Sequence, residues 1–221
     1  MLCLFDIDGT LLLKASAAHA RAVHEALREV YGVADPAVPK VEAAGRTDAE
    51  IARAICLHHD VGAERFDAGF DAFRAACVAA YARLCPADLS DRVAPGMIAV
   101  LEALAARDGV RLAVLTGNLE PIARIKLERA GLARFFEEGQ GSFGSDHEDR
   151  VELPAIARAR AGGYPREQTV IIGDTPRDIA CARADGLRCI AVATGPFAAE
   201  ELAGADVVLH SAHDLLDVLW A

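Results

Sequence analysis

The chain has 221 residues, of which 53% are hydrophobic and 25% are charged, and its formal net charge is −10. This composition is typical of a globular protein and differs from that of a disordered chain. The negative charge argues against nucleic acids and anionic membranes as partners, since binding to either requires a basic surface. The sequence has no apolar run of 18 residues, so we expect no transmembrane helix.

The N-terminal residues and the cysteines both indicate a cytoplasmic protein. The first five residues include no basic residue and lead directly to Asp6, unlike a signal peptide. The six cysteines form no Cys-x-x-Cys pair, and most of them lie in apolar segments. We therefore expect buried thiols in a reducing compartment, with no disulfide and no zinc site.

Five short apolar runs are typical of buried parallel strands, and helical patterns separate them from the second run onward. The predicted strands are residues 2–5, 111–115, 169–172, 189–193 and 207–209, and the predicted helices are residues 97–107, 120–130, 152–161 and 177–185. Strands that alternate with helices of about ten residues indicate βαβ units. The predicted fold class is therefore α/β, with a doubly wound parallel sheet.

Residues 15–91 interrupt this alternation because they contain only helical patterns. Helices are predicted over residues 17–31, from the capping box Thr47-Asp48-Ala49-Glu50 to about residue 59, and over residues 64–84. We therefore predict a core domain formed by residues 1–14 and 92–221. Residues 15–91, called the helical insert below, would form a second domain placed after the first strand.

Polar side chains follow three of the predicted strands at the points where the strands end. These segments are Asp6-Ile7-Asp8-Gly9-Thr10, Thr116-Gly117-Asn118 and Gly173-Asp174-Thr175-Pro176-Arg177-Asp178. The carboxyl ends of the strands in a doubly wound sheet share one edge, where ligands bind. Four acids in one crevice would repel each other unless a cation were bound, and an all-oxygen site suits Mg²⁺.

These groups have the chemistry that phosphoryl transfer requires. A carboxylate can act as a nucleophile and form an aspartyl-phosphate, and a second acid two residues later can act as a general acid/base. Thr116 and Asn118 can donate hydrogen bonds to phosphoryl oxygens. The sequence thus favours an enzyme that transfers a phosphoryl group.

In order and spacing, the three segments resemble the first, second and fourth motifs of the haloacid dehalogenase superfamily, and the helical insert resembles its C1 cap. The resemblance implies that Asp6 is the nucleophile and a Mg²⁺ ligand. It implies that Asp8 is the general acid/base, with its backbone carbonyl also on the metal. The remaining implied roles are Asp174 as a direct metal ligand, Asp178 as a support for the metal, and Thr116, Gly117 and Asn118 as residues that hold the substrate phosphoryl group.

The third motif of the superfamily is where this sequence departs from relatives of the phosphoglycolate phosphatase type. Those relatives carry Lys-Pro ahead of the motif-four acid, whereas this chain has Arg150-Val151. Arginine is always charged and can bind two oxygens, so we expect Arg150 to supply the catalytic positive charge. Lys126 is the alternative source, and if it is not the source we expect it on a solvated helix face. Arg46, at the start of an insert helix, is a predicted substrate contact.

The predicted function is Mg²⁺-dependent hydrolysis of a small phosphorylated metabolite, such as phosphoglycolate, through an aspartyl-phosphate on Asp6. A phosphosugar mutase of the β-phosphoglucomutase type shares these motifs and is the main alternative. Dehalogenases of the superfamily lack an acid at the position of Asp8, and a Schiff-base phosphonatase needs an insert lysine, for which only Lys40 and the hinge residue Lys14 are available. A non-catalytic module on this fold would have lost a motif acid, and all four are present.

Overall fold

A parallel sheet forms the centre of the molecule in the computed structural model, which describes residues 1–37 and 41–220. Within these residues, six strands pair in the order β3-β2-β1-β4-β5-β6. They are β1 (Leu2–Phe5), β2 (Arg111–Thr116), β3 (Ser142–Phe143), β4 (Thr169–Gly173), β5 (Arg188–Val192) and β6 (Val207–Leu209). The predicted α/β class with a doubly wound parallel sheet is confirmed. Strand β3 was not predicted, because two residues are too few to show a periodic pattern.

The helices begin and end within about two residues of the predicted bounds. They are α1 (Ala17–Tyr31), α2 (Asp48–His58), α3 (Ala63–Leu84), α4 (Met97–Ala105), α5 (Glu120–Arg129), α6 (Leu153–Arg160), α7 (Pro176–Asp185) and α8 (Leu215–Val218). Thr47 caps α2 as predicted, because its hydroxyl accepts a hydrogen bond from the Glu50 backbone N–H at 3.1 Å. The four-residue helix α8 was not predicted, and Lys40 lies outside the described residues.

Side chains of the central strands alternate between two hydrophobic layers. In β1, Cys3 and Phe5 belong to one apolar cluster, and Leu2 and Leu4 belong to the other. The period of two follows from the pleat of a strand. The first cluster includes buried residues of α4, α5 and the helical insert, whereas the second includes those of α6 and α7. Both faces of the sheet are thus covered, which is why β1 is apolar throughout its length.

Aromatic contacts hold the helical insert together. Tyr31 at the end of α1 stacks on Phe66 of α3, with ring centroids 5.5 Å apart, and its hydroxyl donates to the Phe66 carbonyl at 2.8 Å. A side chain at Gly69 would collide with the Tyr31 ring, since a Cβ there would lie 2.7 Å from it. Such aromatic pairs contribute about 1 kcal/mol beyond their buried area. Helix α1 is therefore fixed against α3, and α1 carries one residue of the site described below.

The start of α2 lies against the strand ends of the core. The Asp48 backbone N–H donates to the Gly117 carbonyl at 2.9 Å, and the Thr47 hydroxyl donates to the Glu148 carbonyl at 2.6 Å. Arg53 of α2 also binds both carboxylate oxygens of Glu148. At Gly117, a Cβ would lie 2.1 Å from a backbone oxygen of the helical insert. Only glycine permits this approach, so the helical insert is seated directly on the edge of the sheet.

The six cysteines are buried, as predicted, and none is paired in a disulfide. Burial raises the pKa of thiols such as Cys3 and Cys181 to about 12, so these thiols are not nucleophiles at neutral pH. Among the described residues, no helix combines the length and apolar composition that a membrane span requires. The division into a core (residues 1–14 and 92–221) and a helical insert (residues 15–91) stays a prediction.

Candidate active site

The polar segments that follow β1, β2 and β4 meet at one edge of the sheet. Strands β2 and β4 flank β1 in the sheet, so the residues after these three strands are neighbours. Asp6 continues the pairing with β4, because its N–H donates to the Ile172 carbonyl at 2.9 Å. The side chains of Asp6, Asp174 and Asp178 are buried. The crevice predicted from the strand ends is therefore present, and it contains these acids.

Three of the predicted acids could hold a metal ion. Asp6, Asp174 and Asp178 each offer one carboxylate oxygen, and these oxygens lie within 4.8 Å of one another. Thr10 donates to Asp174 Oδ1 at 3.0 Å, but Asp174 Oδ2 is buried and has no hydrogen-bond partner among the described residues. A buried carboxylate oxygen without a partner is unfavourable, and carboxylate oxygens are the ligands that hard divalent cations prefer. The donor set therefore fits a divalent cation such as Mg²⁺.

Two glycines surround the unpartnered oxygen of Asp174. A Cβ at Gly9 would lie 2.1 Å from Asp174 Oδ2, and a Cβ at Gly195 would lie 1.7 Å from it. Gly9 also has a φ of +97°, a conformation that other residues rarely adopt. The backbone thus approaches the carboxylate closely from two sides. Gly195 was not predicted as part of the site, since a lone glycine after β5 shows no pattern.

Burial and repulsion between carboxylates make Asp6 and Asp174 weaker acids than an ordinary aspartate. Burial raises the pKa of Asp6 to about 7, with the charges of Asp178 and Asp8 adding to the effect and the charge of Arg150 opposing it. Burial, together with the charges of Asp6 and Asp178, raises the pKa of Asp174 to about 9. A bound cation would reverse both effects, because it stabilises the ionised carboxylates.

Arg150 contacts two acids of the triad, Asp6 and Asp178. One nitrogen of its guanidinium lies 3.1 Å from Asp6 Oδ1 and donates to Asp178 Oδ1 at 2.5 Å. Burial disfavours the guanidinium charge, but the carboxylates of Asp178 and Asp6 outweigh burial and raise the pKa of Arg150. A second guanidinium nitrogen donates to the Gly45 carbonyl in the helical insert at 3.1 Å. Arg150 thus provides a fixed positive charge beside Asp6.

Asp178 is held in place by the start of α7. Its Oδ2 accepts hydrogen bonds from the Thr175 N–H at 3.0 Å and the Thr175 hydroxyl at 2.7 Å, which completes a capping box. Its Oδ1 faces Arg150. The carboxylate is therefore oriented by three donor atoms: the Thr175 backbone nitrogen, the Thr175 hydroxyl and one nitrogen of the Arg150 guanidinium. This arrangement agrees with a support role for Asp178 beside the metal.

Lys126 does not lie on a solvated helix face; that expectation is wrong. Its side chain is fully buried, because α5 packs it beneath the site. The ammonium donates to Asp8 Oδ2 and to Asn118 Oδ1, both at 2.5 Å. Burial favours the neutral carboxyl of Asp8, but the charge of Lys126 and the hydrogen bonds to Asp8 outweigh burial and lower the pKa of Asp8. Within residues 1–37 and 41–220, the site thus contains two buried cations, one for each of the two acids of the first motif.

The other predicted substrate contacts have different surroundings. Asn118 donates from Nδ2 to Asp8 Oδ2 at 3.0 Å and to the Thr116 hydroxyl at 2.9 Å. Thr116 itself is fully buried, and Gly117 contacts the helical insert as described above. Arg46 forms an ion pair with Glu50 one turn along α2. Of these four residues, Asn118 and Arg46 line the cavity described next.

A cavity of about 710 Å³ lies between the helical insert and the sheet edge. Asp6, Asp8 and Asp174 line this cavity. Apolar residues of α1 and α2, such as Val23 and Ile51, also line it. The acids therefore face a space in which a small molecule could bind.

His19 and Asp48 are buried residues of the site that sequence reasoning missed. His19 Nδ1 lies 3.2 Å from the Lys126 ammonium, and His19 Nε2 lies 3.1 Å from the Asp48 carboxylate. Asp48 was noted only as part of a capping box, and a lone histidine in α1 has no distinguishing spacing. His19 reaches Lys126 only because tertiary packing places the start of α1 near the sheet edge.

Comparison with known proteins places this arrangement in a family. A model of the haloacid dehalogenase-like hydrolases matches residues 3–183. The chain belongs to this family. A second model, of HAD-hydrolase-like proteins, matches residues 152–218 of this haloacid dehalogenase-like hydrolase.

Individual relatives agree with the family model. The phosphoglycolate phosphatase of Rhodospirillum rubrum is 33% identical over 201 residues, which cover 87% of this chain and 79% of that protein. Phosphoglycolate phosphatase 1 of Pseudomonas aeruginosa is 26% identical over 199 residues, which cover 88% and 70% of the two chains. The structure of CbbY from Rhodobacter sphaeroides in complex with phosphate is 27% identical, with a TM-score of 0.62 and coverage of 97% and 95%.

The raised pKa values predict how pH affects the metal-free hydrolase. Aspartate in an unfolded chain has a pKa of about 3.9, whereas Asp6 and Asp174 have values of about 7 and about 9 in the folded chain. The folded state therefore binds more protons in this window, and the free energy of unfolding falls as pH rises from about 4 to about 9. Since a cation needs ionised ligands, Mg²⁺ should raise the melting temperature more at about pH 8.5 than at about pH 6.

Thermal denaturation with and without Mg²⁺ measures this effect, and Asp174→Asn provides the comparison. The variant lacks one titrating carboxylate, so the fall in stability with pH should be shallower and the Mg²⁺ effect should be lost. Equal Mg²⁺ effects on the wild-type protein at both pH values would contradict the prediction.

A second prediction concerns Lys126→Met, which keeps most of the aliphatic side chain and removes the ammonium. Asp8 and Asn118 would lose a buried donor, and removal of one partner from a buried ion pair lowers the free energy of unfolding by about 3 kcal/mol. Urea denaturation measures the loss. The control is Glu128→Met on the exposed side of the same helix, with an expected change of less than about 0.5 kcal/mol. Equal stability of the two variants would show that the ammonium is not needed for packing.

Proposed function

We propose that this hydrolase is a Mg²⁺-dependent phosphatase that hydrolyses small phosphomonoesters through a covalent aspartyl-phosphate on Asp6. The observation that carries the proposal is the position of Asp6. Its carboxylate is one of the three that could hold a metal ion, it contacts the guanidinium of Arg150, and it lines the cavity. A nucleophile for phosphoryl transfer needs these three surroundings: a cation, a fixed positive charge and access to substrate.

The proposed metal ligands are Asp6, Asp174 and the backbone carbonyl of Asp8, with Asp178 as a support. When bound, Mg²⁺ would neutralise charge on the phosphoryl oxygens and allow the phosphate to approach the acids. The unpartnered Asp174 Oδ2 supports this assignment, because a buried anionic oxygen otherwise lacks compensation. The choice of Mg²⁺ rests on the all-oxygen donor set.

In the first proposed step, a carboxylate oxygen of Asp6 attacks phosphorus and the bond from phosphorus to the leaving oxygen breaks. Asp8 gives its proton to that oxygen, so the alcohol leaves neutral. Arg150 and the Asn118 amide stabilise the negative charge of the phosphoryl group during transfer. The products of this step are the alcohol and the phosphorylated Asp6.

In the second proposed step, water attacks the phosphorus of the aspartyl-phosphate. Asp8, now ionised, accepts a proton from this water, and the acyl phosphate bond breaks to restore the Asp6 carboxylate and release inorganic phosphate. The lowered pKa of Asp8 keeps its carboxyl group ionised, which a base in this step must be. The helical insert, seated on the sheet edge, would restrict access of other water during the first step.

The proposed substrate is a small metabolite such as phosphoglycolate, because two relatives are phosphoglycolate phosphatases. The helical insert also supports a small substrate, since it lies over the acids and leaves a cavity of about 710 Å³. Arg46 lines this cavity and remains the proposed contact for the part of the substrate beyond the phosphate. Gly117 contributes by its lack of a side chain, which lets the helical insert approach the site.

Asp6→Asn should abolish phosphate release and leave the fold intact, because the amide is a poor nucleophile and a poor metal ligand. We expect at least about a hundredfold loss of kcat, equal to about 2.7 kcal/mol of barrier. Phosphate release from a panel of phosphorylated metabolites with Mg²⁺ measures the effect. Asp108→Asn, at an exposed acid, is the control. A variant with more than a hundredth of the wild-type kcat would rule out the covalent step on Asp6.

The same assay of the wild-type protein tests the alternative function. Transfer of the phosphoryl group between sugars without release of free phosphate would indicate a mutase.

Arg150 should tolerate lysine better than alanine. Arg150→Lys keeps a positive charge beside Asp6 and should retain a substantial part of kcat, whereas Arg150→Ala removes a charge worth about 3 kcal/mol in the transition state. The measurement is kcat and KM at saturating Mg²⁺, with circular dichroism to verify folding. Near wild-type activity of Arg150→Ala would show that the catalytic charge comes from another residue, and Lys126 would be the first to consider.

A further inference from the structure

The Lys126 ammonium has three acceptors, and one of them lies outside the core. Asp8 Oδ2 and Asn118 Oδ1 lie at 2.5 Å, and His19 Nδ1 lies at 3.2 Å. An ammonium has three protons, so each acceptor can receive one. Asp8 and Asn118 follow strands of the sheet, whereas His19 belongs to α1 of the helical insert. The ammonium is therefore fully paired only when α1 is in place.

The partners of His19 define its tautomer. Lys126 can only donate, so Nδ1 must accept and the ring proton must be on Nε2. Nε2 lies 3.1 Å from the Asp48 carboxylate and can donate to it. The ring is buried and packs edge-on against Tyr81 of α3, with centroids 5.5 Å apart. One orientation of His19 thus satisfies both neighbours.

Asp48 connects this ring to the core. Its Oδ2 accepts the Leu119 N–H at 2.7 Å, and its own N–H donates to the Gly117 carbonyl at 2.9 Å. Gly117 and Leu119 flank Asn118, which donates to Asp8. The hydrogen bonds therefore form a closed circuit from Asp8 through Lys126, His19 and Asp48 back to the segment that carries Asn118.

We propose that His19 and Asp48 are positioning residues that hold the Lys126 ammonium, and through it the Asp8 carboxyl, in the geometry for proton transfer. The inference rests on the proposed phosphatase function. Neither residue needs to touch the reacting atoms: His19 accepts the third ammonium proton, and Asp48 fixes the ring. Without His19, the ammonium has an unpaired N–H in a buried place and shifts away from Asp8 to find another acceptor.

The consequence appears in the step that breaks the bond between phosphorus and the leaving oxygen. Asp8 delivers its proton to that oxygen, and an alkoxide leaving group depends on this proton far more than a nitrophenolate does. A misplaced Asp8 should therefore slow the release of an alcohol more than the release of nitrophenol. A loss caused only by poor packing of the helical insert would affect both substrates equally.

The test compares kcat/KM for glycerol 2-phosphate and p-nitrophenyl phosphate in wild-type protein, His19→Leu, His19→Asn and Asp48→Asn. For His19→Leu, kcat/KM for glycerol 2-phosphate should fall about tenfold further than for p-nitrophenyl phosphate, as expected when part of a general-acid contribution is lost. Inhibition by inorganic phosphate should stay the same. His19→Asn keeps an acceptor for Lys126 and should recover most of the loss. Asp48→Asn should show the same dependence on the leaving group in weaker form.

His58→Leu, at an exposed histidine of α2, is the control and should match the wild-type protein. Equal losses of His19→Leu on both substrates, or no loss on either, would overturn the inference while leaving the proposed function in place. Absence of phosphate release by the folded wild-type protein would instead refute the proposed function. In that case, ¹⁵N NMR of His19 still tests the circuit: a ring protonated at Nε2 supports it, and a ring protonated at Nδ1 overturns it.

Discussion

The repulsion between buried carboxylates at one edge of the sheet is the constraint on which the rest of the site depends. Asp6, Asp174 and Asp178 offer oxygens within 4.8 Å of one another, and water can do little to separate their charges. The Arg150 guanidinium compensates part of this negative charge, and the hydroxyls of the first and fourth motifs donate hydrogen bonds to the carboxylates. The carboxylates also form a donor set that fits a divalent cation. Folding therefore brings together negative charges that the surrounding groups compensate only in part, and the remaining charge would attract a cation, which in turn would allow an anionic phosphate to approach.

The charges of Asp6 and Asp8 are compensated by different buried cations, Arg150 and Lys126. Arg150 lies beside Asp6, whose pKa is nevertheless raised because burial dominates. Lys126 lies beside Asp8, whose pKa is lowered because the ammonium outweighs burial. Two acids separated by one residue in the sequence thus have opposite protonation tendencies. The proposed roles need an ionised Asp6 and, in the first step, a protonated Asp8, so a cation beside Asp6 would have to lower the pKa of Asp6. The opposite pKa shifts of Asp6 and Asp8 arise from charged residues of α5, of α7 and of the turn before α6. They do not arise from the strand β1, which both acids follow.

Features that depend on local sequence pattern were predicted well, whereas those that depend on distant contacts were not. The strands and helices follow from periodicity, and the meeting of Asp6 with Asp174 follows from the rule that the strands of a doubly wound sheet share one functional edge. The depth of Lys126 could not be inferred, because one lysine among the polar residues of α5 looks the same in sequence whether it faces water or Asp8. His19 and Asp48 were missed for the same reason: 29 residues separate them, and only the packing of α1 on α3 brings the ring to the carboxylate. Short elements such as β3 have too few residues to carry a pattern.

The contacts of the helical insert with Gly117 and Lys126 have a consequence for chimeras made between this protein and its relatives. A chimera that exchanges residues 15–91 alone would bring a foreign α1 against α5, and the Lys126 ammonium would keep its core acceptors but lose the one from His19. The foreign segment would also have to tolerate a backbone approach so close that residue 117 has no room for a Cβ. The helical insert is therefore not an independent module: its first helix, the loop after β2 and helix α5 form a unit that would have to be inherited, or transplanted, together.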